Sequence, residues 1–258
     1  MKNDLVRVIA NIIAFLATIV VNFLANALPI NGVTTAEVSD MFQVFFVPAG
    51  YVFAIWGVVY LFLLGFVIYQ ALPAQHANPR LRRIGWLFVL TNIANMAWIF
   101  LWQYQLFLLT LVAMLTLLGS LIVIYTRLDI GKVQVPLAQR LLVDVPISIY
   151  LAWVSVATIA NVTDVLSYLN WNGFGLSPQF WFVVMTGVVV LLSAWMGFVR
   201  RDIAFLLVII WALSGIAIKQ AAFPLVANTA WIATALVALM LIPLLIYGRR
   251  PAGRQSVA

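Results

Sequence analysis

The chain contains no cysteine and a single histidine, His76, among its 258 residues. Without thiols it can form no disulfide, no thiolate metal site and no cysteine nucleophile, and one imidazole cannot by itself build a metal or haem centre. Charged residues are also scarce, at 8% of the chain, whereas a typical soluble domain has about 25%. These few charges exclude a water-soluble globular protein, because they cannot cover a core with polar surface.

Hydrophobic residues make up 66% of the chain, and it contains 10 Trp, 17 Phe and 8 Tyr. This composition excludes disordered and collagen-like chains, which need polar or Gly/Pro-dominated sequences. The lipid bilayer is the expected solvent, and a helix needs roughly 20 apolar residues to cross it. We therefore predict an all-α integral membrane protein with about eight transmembrane helices. The predicted spans are residues 5–27, 50–70, 84–103, 106–126, 141–162, 179–199, 203–219 and 228–247.

The basic residues test this topology, because Lys and Arg concentrate in the cytoplasmic loops of membrane proteins. With eight spans, 13 of the 14 Lys and Arg residues fall on one side of the membrane, and only Lys219 falls on the other. The predicted outer loops carry the acids Glu37, Asp40 and Asp164 instead. We therefore expect both termini in the cytoplasm, with the protein in a bacterial cytoplasmic membrane. Nucleic acid is not an expected partner, since the net charge of +7 reflects this loop asymmetry.

The first span leaves one alternative open. Lys2 and Arg7 precede an apolar run that ends in Ala25-Asn26-Ala27, and small residues spaced in this way also occur at signal-peptide cleavage sites. The run is longer than the roughly 7 to 15 apolar residues of a signal peptide. We expect a membrane helix here. A cleaved signal is the alternative, because the charge asymmetry of the loops is the same in both cases.

Four of the predicted helices, the first, second, third and fifth, each carry amide or aromatic residues along one face. Spacings of three or four residues place these side chains on one stripe, and polar groups in hydrocarbon face the bundle interior. Indole and amide groups on such a wall suit a flat, largely apolar ligand. The alternative is that the amides only join helices and the aromatics only pack or anchor. The candidate ligand-binding residues are Trp56, Tyr60, Asn92, Asn95, Trp98, Trp102, Tyr150, Trp153, Ala157 and Asn161.

Three short motifs lie on the second, third and fifth predicted helices, in that order. They are Pro48-Ala49-Gly50-Tyr51-Val52-Phe53 followed by Ile55-Trp56-Gly57, then Asn95-Met96-Ala97-Trp98, then Tyr150-Leu151-Ala152-Trp153-Val154-Ser155. Together they resemble the TspO/MBR family, the tryptophan-rich sensory or translocator proteins (peripheral benzodiazepine receptor). The resemblance covers roughly residues 1–163, a five-helix bundle. Residues 164–258, with three additional transmembrane helices and a short basic tail, are treated as an added unit.

This resemblance implies a pocket that binds tetrapyrroles such as protoporphyrin IX, and sterols or synthetic ligands in eukaryotic relatives. It implies no required cofactor. The loop from Ile30 to Val47 would cover the mouth of the pocket on its outer side. Carried over residue by residue, the resemblance places Trp56, Asn95, Trp98, Trp153, Ala157 and Asn161 in this pocket.

The expected function is that of a multi-pass membrane protein that binds a hydrophobic ligand, a tetrapyrrole by resemblance, for sensing, storage or transport. Its expected partners are membrane lipids and this ligand, and a homodimer is left open. One alternative is a secondary transporter that uses all eight helices. The other is a porphyrin-modifying membrane enzyme, although the chain offers no Ser/His/Asp set and no paired carboxylates, so we expect no enzymatic activity.

Several charged and aromatic residues outside this set have interpretations of their own. Asp144 is the one acid predicted inside a span, where it could couple protons, and Arg140 one turn earlier is its expected partner. Lys219 either meets an anionic group of the ligand or extends to the lipid headgroups. Near span ends, the expected headgroup anchors are Trp171, Trp181 and Trp231.

Overall fold

The computed structural model describes residues 2–28 and 30–247, and every regular element within them is helical. By length and composition six helices can cross a membrane, and two further apolar helices have 17 residues each. The prediction of an all-α, multi-span membrane bundle is therefore confirmed. The short basic tail that follows residue 247 lies outside the described residues. The eight helices are α1 (Lys2–Ala27), α2 (Ile55–Ala71), α3 (Leu87–Gln103), α4 (Phe107–Arg127), α5 (Val145–Tyr168), α6 (Pro178–Phe198), α7 (Ile203–Lys219) and α8 (Pro224–Tyr247).

Helix α5 is the centre of the bundle. It packs against α2 and α4 on one side and against α7 on the other. The most apolar stretch of its span is 67% buried, compared with 28–39% for the other five long spans. Helix α1 lies against α3 and α2, while α6, α7 and α8 pack on one another. The last three helices thus pack on α5 through α7.

The break between α3 and α4 is as tight as its sequence predicts. The polar run Gln103-Tyr104-Gln105 is the only polar interruption in a long apolar stretch. Gln105 takes a φ of 58°, which ends α3 and turns the chain back. The two helices then pack along each other as a hairpin, because one continuous helix would be too long for a bilayer.

The fifth helix extends beyond the predicted span 141–162, so Asp164 lies in the helix and not in a loop. Helix α5 continues to Tyr168, past residue 163 where the division into two units was placed, and the chain turns at Asn170 with a φ of 52°. Asp164 was assigned to an outer loop, and that assignment was wrong, because its side chain is inside α5 and only 2% exposed. The extra turns bury Val165 against the bundle, and this burial stabilises the longer helix.

Asp144 pairs with Arg80 rather than with Arg140. The Arg80 Nη1 atom lies 2.7 Å from Asp144 Oδ1, and both side chains are largely buried. Residues Arg140–Asp144 form a π-helical turn in which Val145 N–H donates to the Arg140 carbonyl. The expected pairing with Arg140 is wrong, because Arg80 occupies the Asp144 carboxylate and the Arg140 side chain is exposed.

The basic loops gather at one end of the bundle. Arg82 binds Asp4 at the start of α1 through two hydrogen bonds of 2.8 and 2.6 Å. Between α6 and α7, Arg200 donates to the carbonyl of Ile130, which follows α4. Lys219 lies at the opposite end. The charge asymmetry seen in the sequence is thus a property of the folded bundle.

Candidate functional site

An aromatic cluster surrounds Trp153 of α5. The rings of Trp56 and Phe53 meet the Trp153 ring edge-on, with centroids 6.1 and 6.0 Å away. Trp56 stacks on Tyr60 one turn along α2, at 5.5 Å and 19°. Tyr150 meets the Trp56 ring from α5 at 6.1 Å. Helices α2 and α5 therefore join along the aromatic stripe that the sequence indicates on each.

A second aromatic pair comes from α3. Trp98 and Trp102 stack at 5.2 Å and 18°. The Trp98 Nε1–H donates to Asn161 Oδ1 at 3.4 Å, and the Asn161 amide donates to Thr110 Oγ1 at 2.9 Å. The Trp102 Nε1–H donates to the carbonyl of Thr35 at 3.1 Å. These bonds hold both indoles in place and tie Trp102 to the loop above it.

A small core pocket lies between these two aromatic groups, closed above by the loop that follows α1. Its volume is about 40 Å³, more than the roughly 10 to 15 Å³ of cavity space that one water molecule requires. In this conformation it can hold an ammonium-sized group and not a large ring. Of the predicted residues, the pocket is lined by Trp56, Trp98, Trp102, Trp153, Ala157 and Asn161.

A larger groove of about 630 Å³ lies beside the core pocket, between α1 and α2. Its wall includes Tyr60, Asn22 and Phe23. Trp56 lines the core pocket and the groove, so its half-buried ring forms part of the partition between them. The core pocket is therefore adjacent to a space that is large enough for a sizeable ligand.

Three of the predicted residues line neither the core pocket nor the groove: Asn92, Asn95 and Tyr150. Asn92 donates to the carbonyl of Phe88 in its own helix at 2.7 Å. Asn95 accepts from Asn22 of α1 at 2.7 Å and donates to the Tyr150 hydroxyl of α5 at 3.4 Å. Their polar groups are used within and between helices. For these three, the structure matches the alternative in which amides serve as bundle contacts.

Several residues of the core pocket are not in the predicted set of ligand-binding residues. Asp164, Met114, Phe53 and Ser39 contribute to its wall. Asp164 continues the stripe of α5 at helical spacing from Asn161, so a fifth span extended by one more turn would have revealed it. Met114 carries no polar signal, and Ser39 comes from a loop whose position depends on the fold. Only Asp164 and Phe53 were therefore within reach of the sequence pattern.

The loop over the pocket, here called the lid (residues 31–49), contains a short helix, Thr35–Asp40. Thr34 and Glu37 cap this helix reciprocally, with Thr34 N–H donating to Glu37 Oε2 and Glu37 N–H donating to Thr34 Oγ1. The hydrogen bonds from Thr34 lower the pKa of the Glu37 carboxyl below its ordinary value of 4.5. This capping box gives the lid a defined local structure.

The end of helix α7, in the C-terminal unit, bonds to the lid. Lys219 Nζ lies 3.0 Å from Asp40 Oδ1. The side-chain amide of Gln220 donates to the carbonyls of Val44 and Phe45, each at 3.3 Å. Lys219 is thus engaged by the lid, which neither interpretation from the sequence predicted.

Helix α7 also anchors the start of α2. Ala49 N–H donates to the carbonyl of Gly215 at 3.2 Å, and the Trp211 indole donates to the carbonyl of Val52 at 3.1 Å. The Tyr51 ring meets the Trp211 ring edge-on at 5.5 Å. The turn that carries Phe53 and Trp56 into the pocket is therefore held by a helix outside the five-helix unit.

A third space, of about 260 Å³, lies between the lid and the loop that joins α5 to α6. Trp171 and Trp181 line it, with ring centroids 5.2 Å apart, and the Trp181 indole donates to the carbonyl of Gly173 at 2.9 Å. These two indoles were expected at the headgroup level as anchors. The structure shows that they also pack on each other beside the lid.

No curated protein and no solved structure matches the chain. A family model described as TSPO-like protein matches residues 8–243, from α1 into α8. The match thus takes in the last three helices as well as the first five. The chain therefore belongs to the TSPO-like protein family, as a multi-pass integral membrane protein.

Proposed function

We propose that this protein binds a flat hydrophobic ligand of the tetrapyrrole class and is not an enzyme. The observation that supports this proposal is the aromatic groove between α1 and α2. Its volume of about 630 Å³ falls within the roughly 300 to 1,000 Å³ of small-molecule sites. Trp56, stacked on Tyr60, offers a broad π surface on its wall. Sensing, storage and transport all require this binding step.

The geometry favours access from the lipid. The groove lies between two membrane helices, and a tetrapyrrole partitions into hydrocarbon because it buries apolar surface there. A ring that lies in the groove would contact Trp56 and Tyr60 first. Reaching Trp153 and the stacked pair Trp98 and Trp102 would require the Trp56 ring to move, since the core pocket holds only about 40 Å³.

We further propose a bacterial cytoplasmic membrane as the location, with both termini in the cytoplasm. The support is the cluster of basic loops at one end of the bundle, because such loops remain on the cytoplasmic side. The lid, with Lys219 and Asp40, would then face outward. A fluorescent or enzymatic reporter fused at the C-terminus checks this, since reporter activity that requires the periplasm would contradict it.

Substitution of Trp56 by Ala tests the binding proposal. Purified full-length protein in nanodiscs is titrated with protoporphyrin IX, and the shift of the porphyrin Soret band gives the Kd. This readout is preferable to tryptophan fluorescence because each variant lacks one indole. Loss of the stacking surface should weaken binding about tenfold, which corresponds to about 1.4 kcal/mol.

Trp231→Ala is the matched control, because this indole is 47% exposed on α8, far from the groove in sequence and in packing. It should bind the porphyrin as the unmodified protein does. Equal affinity of the Trp56 and Trp231 variants would reject the groove as the site. Absence of any saturable Soret shift with the unmodified protein would reject the proposed function itself.

A further inference from the structure

Asp164 has a buried carboxylate for which the described part of the chain provides no partner. Its side chain is 2% exposed, and its Oδ1 atom accepts no hydrogen bond from any described residue. Within the described residues no basic group lies within 4.0 Å of its carboxylate. Lys219, the basic residue predicted alone at this end, is bonded to Asp40 instead. Asp164 therefore lacks the protein contact that a buried carboxylate normally has.

An unpaired carboxylate in a membrane bundle is costly, and such groups usually mark functional sites. Asp164 is also part of the wall of the core pocket rather than of a closed interface. It lies on the same face of α5 as Trp153, Ala157 and Asn161, at helical spacing. A ligand group that enters the core pocket would therefore meet the carboxylate.

The pocket has a second buried group without a partner. Among residues 2–28 and 30–247 the Trp153 Nε1–H finds no acceptor, although the side chain is only 2% exposed. Trp153 and Asp164 are eleven positions apart, about 16 Å along a helix. The two unpartnered groups therefore lie at different levels of α5.

The two spaces suggest how a ligand divides between them. The core pocket of about 40 Å³ admits a group of ammonium size, while the groove of about 630 Å³ holds a flat body. Thr35, Phe53 and Trp56 line both spaces, so a short arm that extends from the groove into the core pocket would pass these side chains and displace the Trp56 ring.

We propose that Asp164 binds a protonated amine on the ligand, so that this site prefers flat hydrophobic ligands with a cationic arm to those with carboxylates. This inference rests on the proposed function, and it narrows the class of ligand. A charge-assisted hydrogen bond from an ammonium is among the stronger interactions that a carboxylate can make. A propionate group in the same place has no proton to donate at neutral pH, so it cannot form this bond.

Three derivatives of one ring test the proposal at a single neutral pH. They are protoporphyrin IX with its two carboxylates, its uncharged dimethyl ester, and its bis(2-aminoethyl)amide with two ammonium groups. The Kd of each is measured by Soret titration of full-length protein in nanodiscs. We expect the amine derivative to bind at least about tenfold more tightly than the free acid. In Asp164→Asn the ratio of the free-acid Kd to the amine Kd should fall at least about tenfold.

Asp129→Asn is the matched control, because it makes the same chemical change in a turn beyond α4, at the other end of the bundle. Asp129 has a φ of 49°, which Asn tolerates well, so this variant should keep the ratio of the unmodified protein. Asp164→Glu keeps the charge and should retain the preference for the amine. This second variant also provides a test if Asp164→Asn fails to fold.

The outcomes separate the two proposals. Equal binding of all three derivatives by the unmodified protein overturns the role of Asp164 and leaves tetrapyrrole binding in place. The same ratio in Asp164→Asn as in the unmodified protein overturns it too. Failure of all three derivatives to bind overturns the proposed function, and the role of Asp164 falls with it.

Discussion

Gly215 of α7 lies so close to Val52 that a Cβ atom on the glycine would overlap the valine side chain. Pro48 also lies against this position. The contact brings the backbone of α7 next to the turn that leads into α2, where the Gly215 carbonyl accepts a hydrogen bond from Ala49. The C-terminal helices thereby fix the approach of the aromatic residues to the pocket.

Gly215→Ala should separate α7 from this turn. Forcing a methyl group into a packed contact costs about 1 to 3 kcal/mol, so we expect a lower free energy of unfolding and weaker porphyrin binding together. Gly187→Ala is the control, because nothing lies within 4 Å of its Cβ position on α6. The free energy of unfolding of this variant should be unchanged or higher by up to about 1 kcal/mol, because Ala has a higher helix propensity than Gly. Equal stability of both variants, measured by denaturant unfolding in detergent, would contradict the close packing.

Arg80→Gln should destabilise the bundle by about 3 kcal/mol, because it leaves Asp144 buried without its ion-pair partner. Arg140→Gln removes the same charge four residues from Asp144, and it should cost less than about 0.5 kcal/mol because Arg140 is exposed. Unfolding curves of the two variants give the comparison. If Arg140→Gln proved the more damaging, the pairing described here would be incorrect.

The capping box of the lid should respond to acid. The pKa of Glu37 is lowered by its hydrogen bonds with Thr34, so its stabilising effect is complete above the ordinary value of 4.5 and disappears as the pH falls through the lowered pKa. Hydrogen-exchange protection factors for residues 35–40 should therefore fall below about pH 4.5. Glu37→Gln keeps an acceptor oxygen and has no carboxylate to titrate, so its protection should not change over this range. A parallel loss in both proteins would assign the effect to another group.

Asp164→Asn should not destabilise the protein in the absence of ligand. It removes an unpaired buried carboxylate, whose presence costs stability, so we expect a Tm equal to or above that of the unmodified protein. Gains of this kind at binding sites commonly come with lost function. Thermal unfolding without porphyrin provides the measurement. A drop of several degrees would show that Asp164 has a structural partner.

The sequence predicted the parts of this fold that local chemistry determines. Each span must satisfy its own backbone groups in the bilayer, so hydropathy and length identify the helices. The polar run at Gln103-Tyr104-Gln105 located the hairpin, and helical spacing placed Trp56, Trp98, Trp153 and Asn161 on inward faces. The place of Asp164 in the pocket wall was not predicted, because the predicted span ended at residue 162. The end of α5 depends on the burial of Val165, which hydropathy does not reveal.

Partners across the bundle could not be predicted in the same way. Arg80 and Asp144 are 64 positions apart, so no local spacing in the sequence pairs them. Asn95 faces inward as expected, yet it bonds Asn22 and Tyr150 rather than lining a cavity. Helical phase gives the face of one helix, whereas a contact also depends on the tilt and rotation of its neighbours.

The sequence by itself determined that this protein resides in lipid, that it is built of about eight helices, and which helix faces carry aromatic and amide groups. It could do so because composition and periodicity act within each helix. Only the tertiary structure decided that Trp56 lies between two spaces, that Asp164 is buried in the pocket wall, and that α7 holds the lid. Those features arise where helices distant in sequence pack together, and their packing depends on all the side chains between them at once.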